Sequence, residues 1–313
     1  MYTYGRVRRL DGIGTKELWI IVALSVVALY YVWDEWIEPD AQAEVIPNKK
    51  EVLVRYSFTL SNRSDQAIEQ VNFSTFAPIE STPFQSLDSI EATAPFKHTF
   101  DELGNQTLTF MVNGLPPFGQ KIITVTARLT MWTSPGVAYA SPVDTSSTEK
   151  LAANEQPLAN VLEALSENSP LEDRLQWAKA ANKWVHTNMD DVGYTSEDRG
   201  PRYALKELKG DCTEFMHAFL SIVSTNNITA FGVAGFRIQG NSAILKASDY
   251  HNWAFFQSEP DTSAWHLADP HGDVFDEQTE KYVAFNALNA FGSERNNSQR
   301  FFIHDPRIAA EMN

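Results

Sequence analysis

The sequence predicts an α+β chain: an N-terminal transmembrane helix, a small antiparallel β-sandwich, and then a helix packed on an antiparallel sheet. Three observations carry this reading. They are an apolar run at residues 18–33, period-two alternation between residues 45 and 140, and helical apolar spacing after residue 169 that gives way to further strand patterns. With 313 residues, 43% hydrophobic and 21% charged, the chain has enough apolar content for two ordinary domains, each with its own core. The boundaries read as 1–40 for a cytoplasmic tail and signal anchor, 45–140 for the sandwich, 141–168 for a linker and 169–313 for the second domain.

Residues 18–33, LWIIVALSVVALYYVW, contain Ser25 as their only small polar member. As a helix this run spans about 24 Å, slightly short of the ~30 Å hydrocarbon core, and Trp36 and Ile37 extend it to residues 18–37. Arg6, Arg8, Arg9 and Lys16 precede the run, while Asp34, Glu35, Glu38 and Asp40 follow it. The positive-inside rule therefore keeps the N-terminus cytoplasmic and puts everything after residue 40 on the periplasmic or extracellular side of the cytoplasmic membrane. Ala41-Gln42-Ala43 has the small-x-small look of a signal-peptidase site, but it lies far from the apolar run, so an uncleaved single-pass anchor is the preferred reading.

Between residues 45 and 140, Thr, Val, Ile and Phe alternate with polar residues and are broken by Gly, Pro, Asn and Asp clusters. Glu51 to Ser61 and Lys121 to Met131 both show a period of two, and Val71 to Phe76 and Gln106 to Val112 are further short strands. Such spacing points to a small antiparallel sandwich of immunoglobulin type without the disulfide of antibody domains. No catalysis is expected here. Spacer, docking module and substrate-binding surface are not separated by its residues.

Residues 134–169 turn polar, with a short helix expected at 158–166. Ser169-Pro170-Leu171-Glu172 is a helix start by mechanism: Ser caps free N–H groups, Pro suits the first turn, and Glu172 completes a capping box. That helix should run to about Asn188, with Trp177 and Trp184 better read as core than as function.

Net charge and cysteine usage exclude several functions. A formal charge of −15, with no basic run outside the N-terminus, argues against a nucleic-acid partner. A single cysteine excludes an internal disulfide and any cysteine-built zinc or iron-sulfur site. That cysteine, Cys212, is bracketed by Asp211 and Glu214 as a capping-box pair, and Phe215, Phe219, Ile222 and Val223 follow at helical spacing. It therefore sits on the first turn of a buried helix. The helix dipole and the free N–H groups there favour the thiolate, the form that attacks.

A thiolate nucleophile needs a proton-transfer partner, and the seven His residues must be sorted. His217 lies five residues on along the same helix, about 140° around, and points elsewhere. His98, His186 and His304 read as surface or packing residues. His251 opens the strand Tyr250 to Phe256 and shares one face with Trp253 and Phe255. Taken alone, such a His is more often a satisfied core or edge residue. The next strand, Ala264 to Ala268, puts Trp265 and Leu267 on the face of Asp269. A buried carboxylate must find a partner, and the neighbouring strand offers His251, although Asp269 also fits the start of an ordinary Asp-Pro turn.

Gly210-Asp211-Cys212-Thr213-Glu214 opening a helix, then His-x-Trp on a strand, then Trp-x3-Asp-Pro, together resemble the transglutaminase-like superfamily over roughly residues 170–285. The order Cys, His, Asp and the intervals of 39 (251 − 212) and 18 (269 − 251) residues match the family pattern, and Ile228 to Phe236 resembles its strand after the cysteine helix. The resemblance implies a papain-like core in which Cys212 attacks a carboxamide or peptide carbonyl, His251 moves protons and Asp269 fixes the His tautomer. The Cys212 backbone N–H would be one oxyanion donor. Family members often place an aromatic residue upstream of the cysteine, and Tyr194, ahead of Tyr203, is the candidate for a second donor; a packing role is the alternative. Two departures from the family pattern stand out: Met216 and His217 replace small apolar residues, and His271 replaces a Thr-like residue after Pro270.

No cofactor is implied. No metal site is implied either, because His266 falls on the opposite strand face from Asp269, and Asp273, Asp276 and Glu277 read as a solvated acidic loop. Residues 286–313 read as a polar tail with one short strand at Arg300 to His304. The favoured function is a thiol acyl-transfer enzyme acting on peptide or protein amide bonds outside the cytoplasmic membrane, with hydrolysis ahead of cross-linking because nothing marks an amine site. A peptide- or envelope-polymer-binding component of a membrane complex, and a structural module with an inert thiol, are the alternatives. The sequence names no partner protein.

Overall fold

A computed structural model describes residues 49–135, 139, 151–166, 172–259, 264–288 and 301–313. The expected membrane segment at 18–37, the small-x-small site at 41–43, part of the linker and the expected helix start at Ser169 to Leu171 lie outside the described residues. Among those described, no helix is long and apolar enough to cross a membrane. Residues 47–313 pack as one unit.

The first half is all strand: β1 (Lys49–Asn62), β2 (Ile68–Ala77), β3 (Ser81–Thr82), β4 (Gln85–Ala92), β5 (Phe96–Phe100), β6 (Gln106–Leu115) and β7 (Gln120–Trp132). Helices then enter, as α1 (Leu158–Ser166), α2 (Arg174–Asn188), β8 (Asp190–Asp191), α3 (Gly200–Glu207), β9 (Lys209–Gly210) and α4 (Cys212–Ser224). The remainder is again strand: β10 (Thr229–Arg237), β11 (Ser242–Ile244), β12 (Tyr250–Gln257), β13 (Trp265–Asp269), β14 (Val274–Phe275), β15 (Tyr282–Leu288), β16 (Phe301–Ile303) and β17 (Ile308–Met312).

Alternation decides the first half. In β1, Val52, Val54, Tyr56, Phe58 and Leu60 are buried while their neighbours are not, and in β7 Ile123, Val125, Ala127, Leu129 and Met131 are buried. Antiparallel register sets these faces side by side, with Tyr56 opposite Val125 and Phe58 opposite Ile123. One sheet has the order β11-β1-β7-β4-β3, with β17 also on β1; a second runs β16-β2-β6-β5, and both feed a single apolar core that includes Phe58, Phe73 and Phe110. Three strands from the second half of the chain, β11, β16 and β17, thus complete these sheets. The C-terminal residues are accordingly not a polar tail: beyond the expected strand, Ile308 and Met312 bury themselves and β17 pairs along β1.

The third sheet has the order β14-β13-β12-β10-β15 and is antiparallel throughout. Its strand β15, which falls partly in the expected polar tail, is buried at every residue and is not legible in the sequence because a continuous apolar run carries no alternation. One edge of β15 pairs with β10. On the other edge the backbone meets side chains: Gln85 donates to the Ala284 carbonyl at 3.0 Å and accepts from Ala284 N at 2.8 Å, and Asn105 does the same for Ala287 at 3.0 and 2.6 Å. Two buried amides, together with the Ile79 N–H that donates to the Ala284 carbonyl at 2.9 Å, therefore stand in for a missing strand.

Helix α4 is buried on all sides from Glu214 to Val223 and packs against α2 and α3 on one flank and β10 and β12 on the other. Room for Met216 comes from Gly232, where a Cβ would lie 2.7 Å from the Met216 sulfur. Helix α2 ends at Asn188 as expected, but its first turn is set by Asp173, whose carboxylate accepts from Gln176 N at 2.9 Å, rather than by Ser169. Trp177 is fully buried in the helical core, while Trp184 is half-buried.

Candidate active site

Cys212 is the first residue of α4, and a compact polar frame holds that helix end. Asp211 caps it, accepting from Thr213 N at 2.8 Å and, through its other oxygen, from Thr195 N at 2.9 Å. Glu214 reaches back to Asp211 N at 3.0 Å, closing the capping box. Its carboxylate is fully buried and is neutralised by Arg199, whose Nη2 donates at 2.8 Å and whose Nε donates at 3.2 Å. Gly210 makes this possible, because a Cβ there would lie 2.2 Å from the Glu214 Cβ.

Strand β12 runs past this helix end and presents two consecutive residues to opposite sides. Asn252 donates to the Thr213 hydroxyl at 2.9 Å and ties the strand to the first turn of α4. His251, on the other face, donates from Nε2 to Asp269 Oδ2 at 2.7 Å. That commitment leaves Nδ1 as the ring nitrogen for Cys212.

Asp269 ends β13, the neighbour of β12, with no exposed surface. Three donors converge on it: His251, the Tyr282 hydroxyl to the same Oδ2 at 2.8 Å, and Gly272 N to Oδ1 at 3.0 Å. A Cβ at Gly272 would lie 2.6 Å from Oδ2, so the turn after Asp269 closes only around glycine. His186 braces the same turn by donating from Nδ1 to the Pro270 carbonyl at 3.1 Å.

The electrostatics follow from this packing. Burial pulls the His251 imidazole down, but its hydrogen bonds to Asp269 and Cys212 and the charges of both carry it up to about 10. Burial likewise pushes Asp269 up, and the hydrogen bond and charge of His251, aided by Gly272 and Tyr282, hold it below the ordinary carboxylate value. Burial and then the Asp269 carboxylate raise the Tyr282 phenol well above its usual value, so it remains a donor. The site is poised as an imidazolium between a carboxylate and a sulfur.

Cys212 is half-buried and, with His251, lines a cleft whose walls include Asp191, Tyr194, Tyr250 and His271. Tyr194 stands at this rim, 71% exposed, while Tyr203 is stacked under Arg199 at 4.3 Å and accepts from its Nη1 at 3.0 Å. Among the other imidazoles, His217 is buried against Asp198 at 3.0 Å, His98 bonds Gln106, and His266 pairs with Asp276 at 2.8 Å. Asp273 and Asp276 are thus engaged, Asp273 by Lys183 at 2.7 Å. Tyr282, Asn252 and Arg199 carry no local signal in the sequence, and Gly272 only the Asp-x-x-Gly spacing from Asp269.

A cysteine opening a buried helix, set against a His–Asp pair on an antiparallel sheet, is the architecture of a papain-like thiol enzyme. Residues 163–270 match the transglutaminase-like superfamily, so the chain carries a domain of that superfamily. In overall structure the chain is similar to a candidate cysteine protease from Cytophaga hutchinsonii, with a TM-score of 0.55 and 12% identity over 85% of this chain and 89% of that one, a likeness of fold alone. Two weaker similarities, to LapG of Legionella pneumophila (TM-score 0.32, 15% identity, 43% of this chain and 75% of that one) and to a candidate protease from Parabacteroides distasonis (TM-score 0.29, 9% identity, 76% and 48%), carry no argument. No curated protein matches the sequence.

Proposed function

We propose that the chain is a thiol acyl-transfer enzyme that cleaves peptide or protein amide bonds, with Cys212 as nucleophile, His251 as proton carrier and Asp269 as the residue that orients it. The observation that carries this reading is the single imidazole whose Nε2 is held 2.7 Å from a fully buried carboxylate while its other nitrogen is left for the only cysteine in the chain. The Cys212 thiolate adds to the amide carbonyl, forming a C–S bond and a tetrahedral oxyanion. His251 gives its Nδ1 proton to the departing amine as the C–N bond breaks, leaving a thioester. Water then displaces the sulfur, and the acid product is released. The Cys212 backbone N–H and the Tyr194 hydroxyl are the proposed oxyanion donors.

The setting we propose is the outer side of the cytoplasmic membrane, with residues 18–37 as a single-pass anchor and residues 1–17 inside. The apolar run and the asymmetry of its flanking charges support it. The sheets of the first half serve as spacer or docking module for the domain that holds the cleft.

Because Cys212 is the only cysteine, iodoacetamide alkylation followed by intact mass reports on it alone. In the full chain in detergent, near neutral pH, alkylation should outpace that of the unfolded chain and fall by about tenfold or more in His251→Ala. A thiol that reacts no faster than in the unfolded chain, and is indifferent to His251, would overturn the reading in favour of a binding or structural role.

A further inference from the structure

Two recesses meet at Cys212, and only one of them contains His251. On the His251 side lies the cleft described above, where Asp191 stands 3.2 Å from His271. The other recess is smaller and is lined by Thr213, Asn252, Glu197 and Asp198 as well as by Cys212, with Tyr194 and Tyr250 common to both. In the reaction proposed above, the proton carrier fixes which part of a substrate goes where. His251 protonates the departing amine, so the leaving group lies over the His251 side and the acyl part extends across Cys212 towards the second recess.

The unspent polar groups of that recess are acceptors. Asn252 is 4% exposed and commits its Nδ2 to the Thr213 hydroxyl at 2.9 Å, but its Oδ1 has no hydrogen-bond partner among the described residues. A buried carbonyl oxygen without a donor is costly, and a donor that enters the recess recovers that cost. Glu197 stands exposed at the mouth; its backbone carbonyl accepts from the Thr195 hydroxyl at 3.2 Å, while its carboxylate has no ion pair or hydrogen bond among the described residues. Asp198 and Asp211 are engaged, Asp198 by His217 and by Gly200 N, each at 3.0 Å, and Asp211 by the N–H groups of Thr195 and Thr213. Among the described residues no lysine or arginine lines the recess, and the nearby Arg199 guanidinium is held by Glu214.

We propose that this recess binds the side chain of the residue whose carbonyl Cys212 attacks, and that it selects a basic one, lysine or arginine, with Glu197 as the specificity-determining residue. The proposal rests on the Cys212–His251 reading of the site. The alkyl stem of such a side chain runs along Tyr194 and Tyr250, while its cationic head donates to Asn252 Oδ1 and faces the Glu197 carboxylate. An acidic side chain meets Glu197 as a like charge, and an alkyl one leaves Asn252 Oδ1 without a donor, so both are disfavoured.

The p-nitrophenyl esters of N-benzyloxycarbonyl lysine, norleucine and glutamate test this without the natural substrate, because all three share one leaving group. The Cys212 thiolate attacks the ester carbonyl, the C–S bond forms and p-nitrophenolate leaves, so kcat/KM for its release reads acylation. With the full chain in detergent, and after subtraction of the rate in Cys212→Ala, kcat/KM should be about tenfold or more higher for the lysine ester than for the norleucine ester, and lowest for the glutamate ester. Norleucine keeps the stem and lacks the ammonium, so the ratio of these two esters within one variant cancels any change in folding or thiol reactivity. Glu197→Gln should lower that ratio by about three- to fivefold and Asn252→Leu by about fivefold or more, and Glu197→Lys should put the glutamate ester ahead of the lysine ester. A ratio near one in the unaltered chain, or a lysine preference that both Glu197 variants leave unmoved, would overturn the proposal. Release no faster than in Cys212→Ala would instead remove the thiol reading itself, a failure distinct from these.

Discussion

The Tyr282 hydroxyl donates to Asp269 Oδ2 at 2.8 Å, the same oxygen that accepts from His251 at 2.7 Å. A carboxylate buried without exposure thereby receives two donors on one atom and a third, Gly272 N, on the other. Tyr282 opens β15, two strands away from β12, so the orientation of His251 depends on a strand it does not pair with.

Tyr282→Phe removes that donor without altering the ring packing. The protein should lose about 1.5–3 kcal/mol of stability, the net value of a hydrogen bond to a charged group, readable from a denaturant midpoint. Alkylation of Cys212 should slow by a few-fold rather than collapse, because His251 and Gly272 still hold Asp269.

Asp269→Asn should change stability in a pH-dependent way. The raised His251 contributes stability that is fully present below about pH 6.5 and is lost as pH rises through about 10. The lowered Asp269 contributes stability present above its ordinary value of 3.8 and lost as pH falls below it. Thermal melts of the two proteins should therefore differ most between about pH 4 and pH 6.5 and converge towards pH 10 and towards strong acid. A constant difference across that range would contradict the pairing.

Gln85→Leu leaves the buried Ala284 N–H without its acceptor, while the Ala284 carbonyl keeps the Ile79 N–H at 2.9 Å. Stability should fall by about 1–3 kcal/mol, and Asn105→Leu should cost a similar amount through Ala287. Hydrogen exchange at Ala284 should accelerate in the first variant and at Ala287 in the second.

Gly210→Ala drives a Cβ to within 2.2 Å of Glu214. The capping box and the Arg199 pair cannot both survive this, so stability should drop by about 1–3 kcal/mol and Cys212 alkylation should slow. Retention of wild-type melting and reactivity would show that Glu214 can move aside.

Much of the fold was legible because it repeats over short distances. The alternation of Val52, Val54, Tyr56, Phe58 and Leu60 named the buried face of β1, and the spacing of Phe215, Phe219, Ile222 and Val223 named a face of α4. The helix at Leu158–Ser166 and the strands holding His251 and Asp269 fell where the pattern put them. Strand β15 escaped because burial on both faces erases alternation, and β17 because a five-residue segment at the chain end reads like a tail.

By itself the sequence determined that Cys212 starts a capped, apolar helix and put His251 and Asp269 on two successive strands, with an ordinary Asp-Pro turn left open for Asp269. Those are local properties, fixed by periods of two and 3.6 residues and by hydrogen bonds that reach three residues along the chain. Tertiary structure alone decided the Tyr282 donor, the Arg199 guanidinium on Glu214, the Gln85 and Asn105 amides on β15, and the His271–Asp191 pair in the cleft. The physical reason is that a buried polar group must be paired, yet which partner reaches it depends on strand order and register across long loops, and no local periodicity encodes that choice.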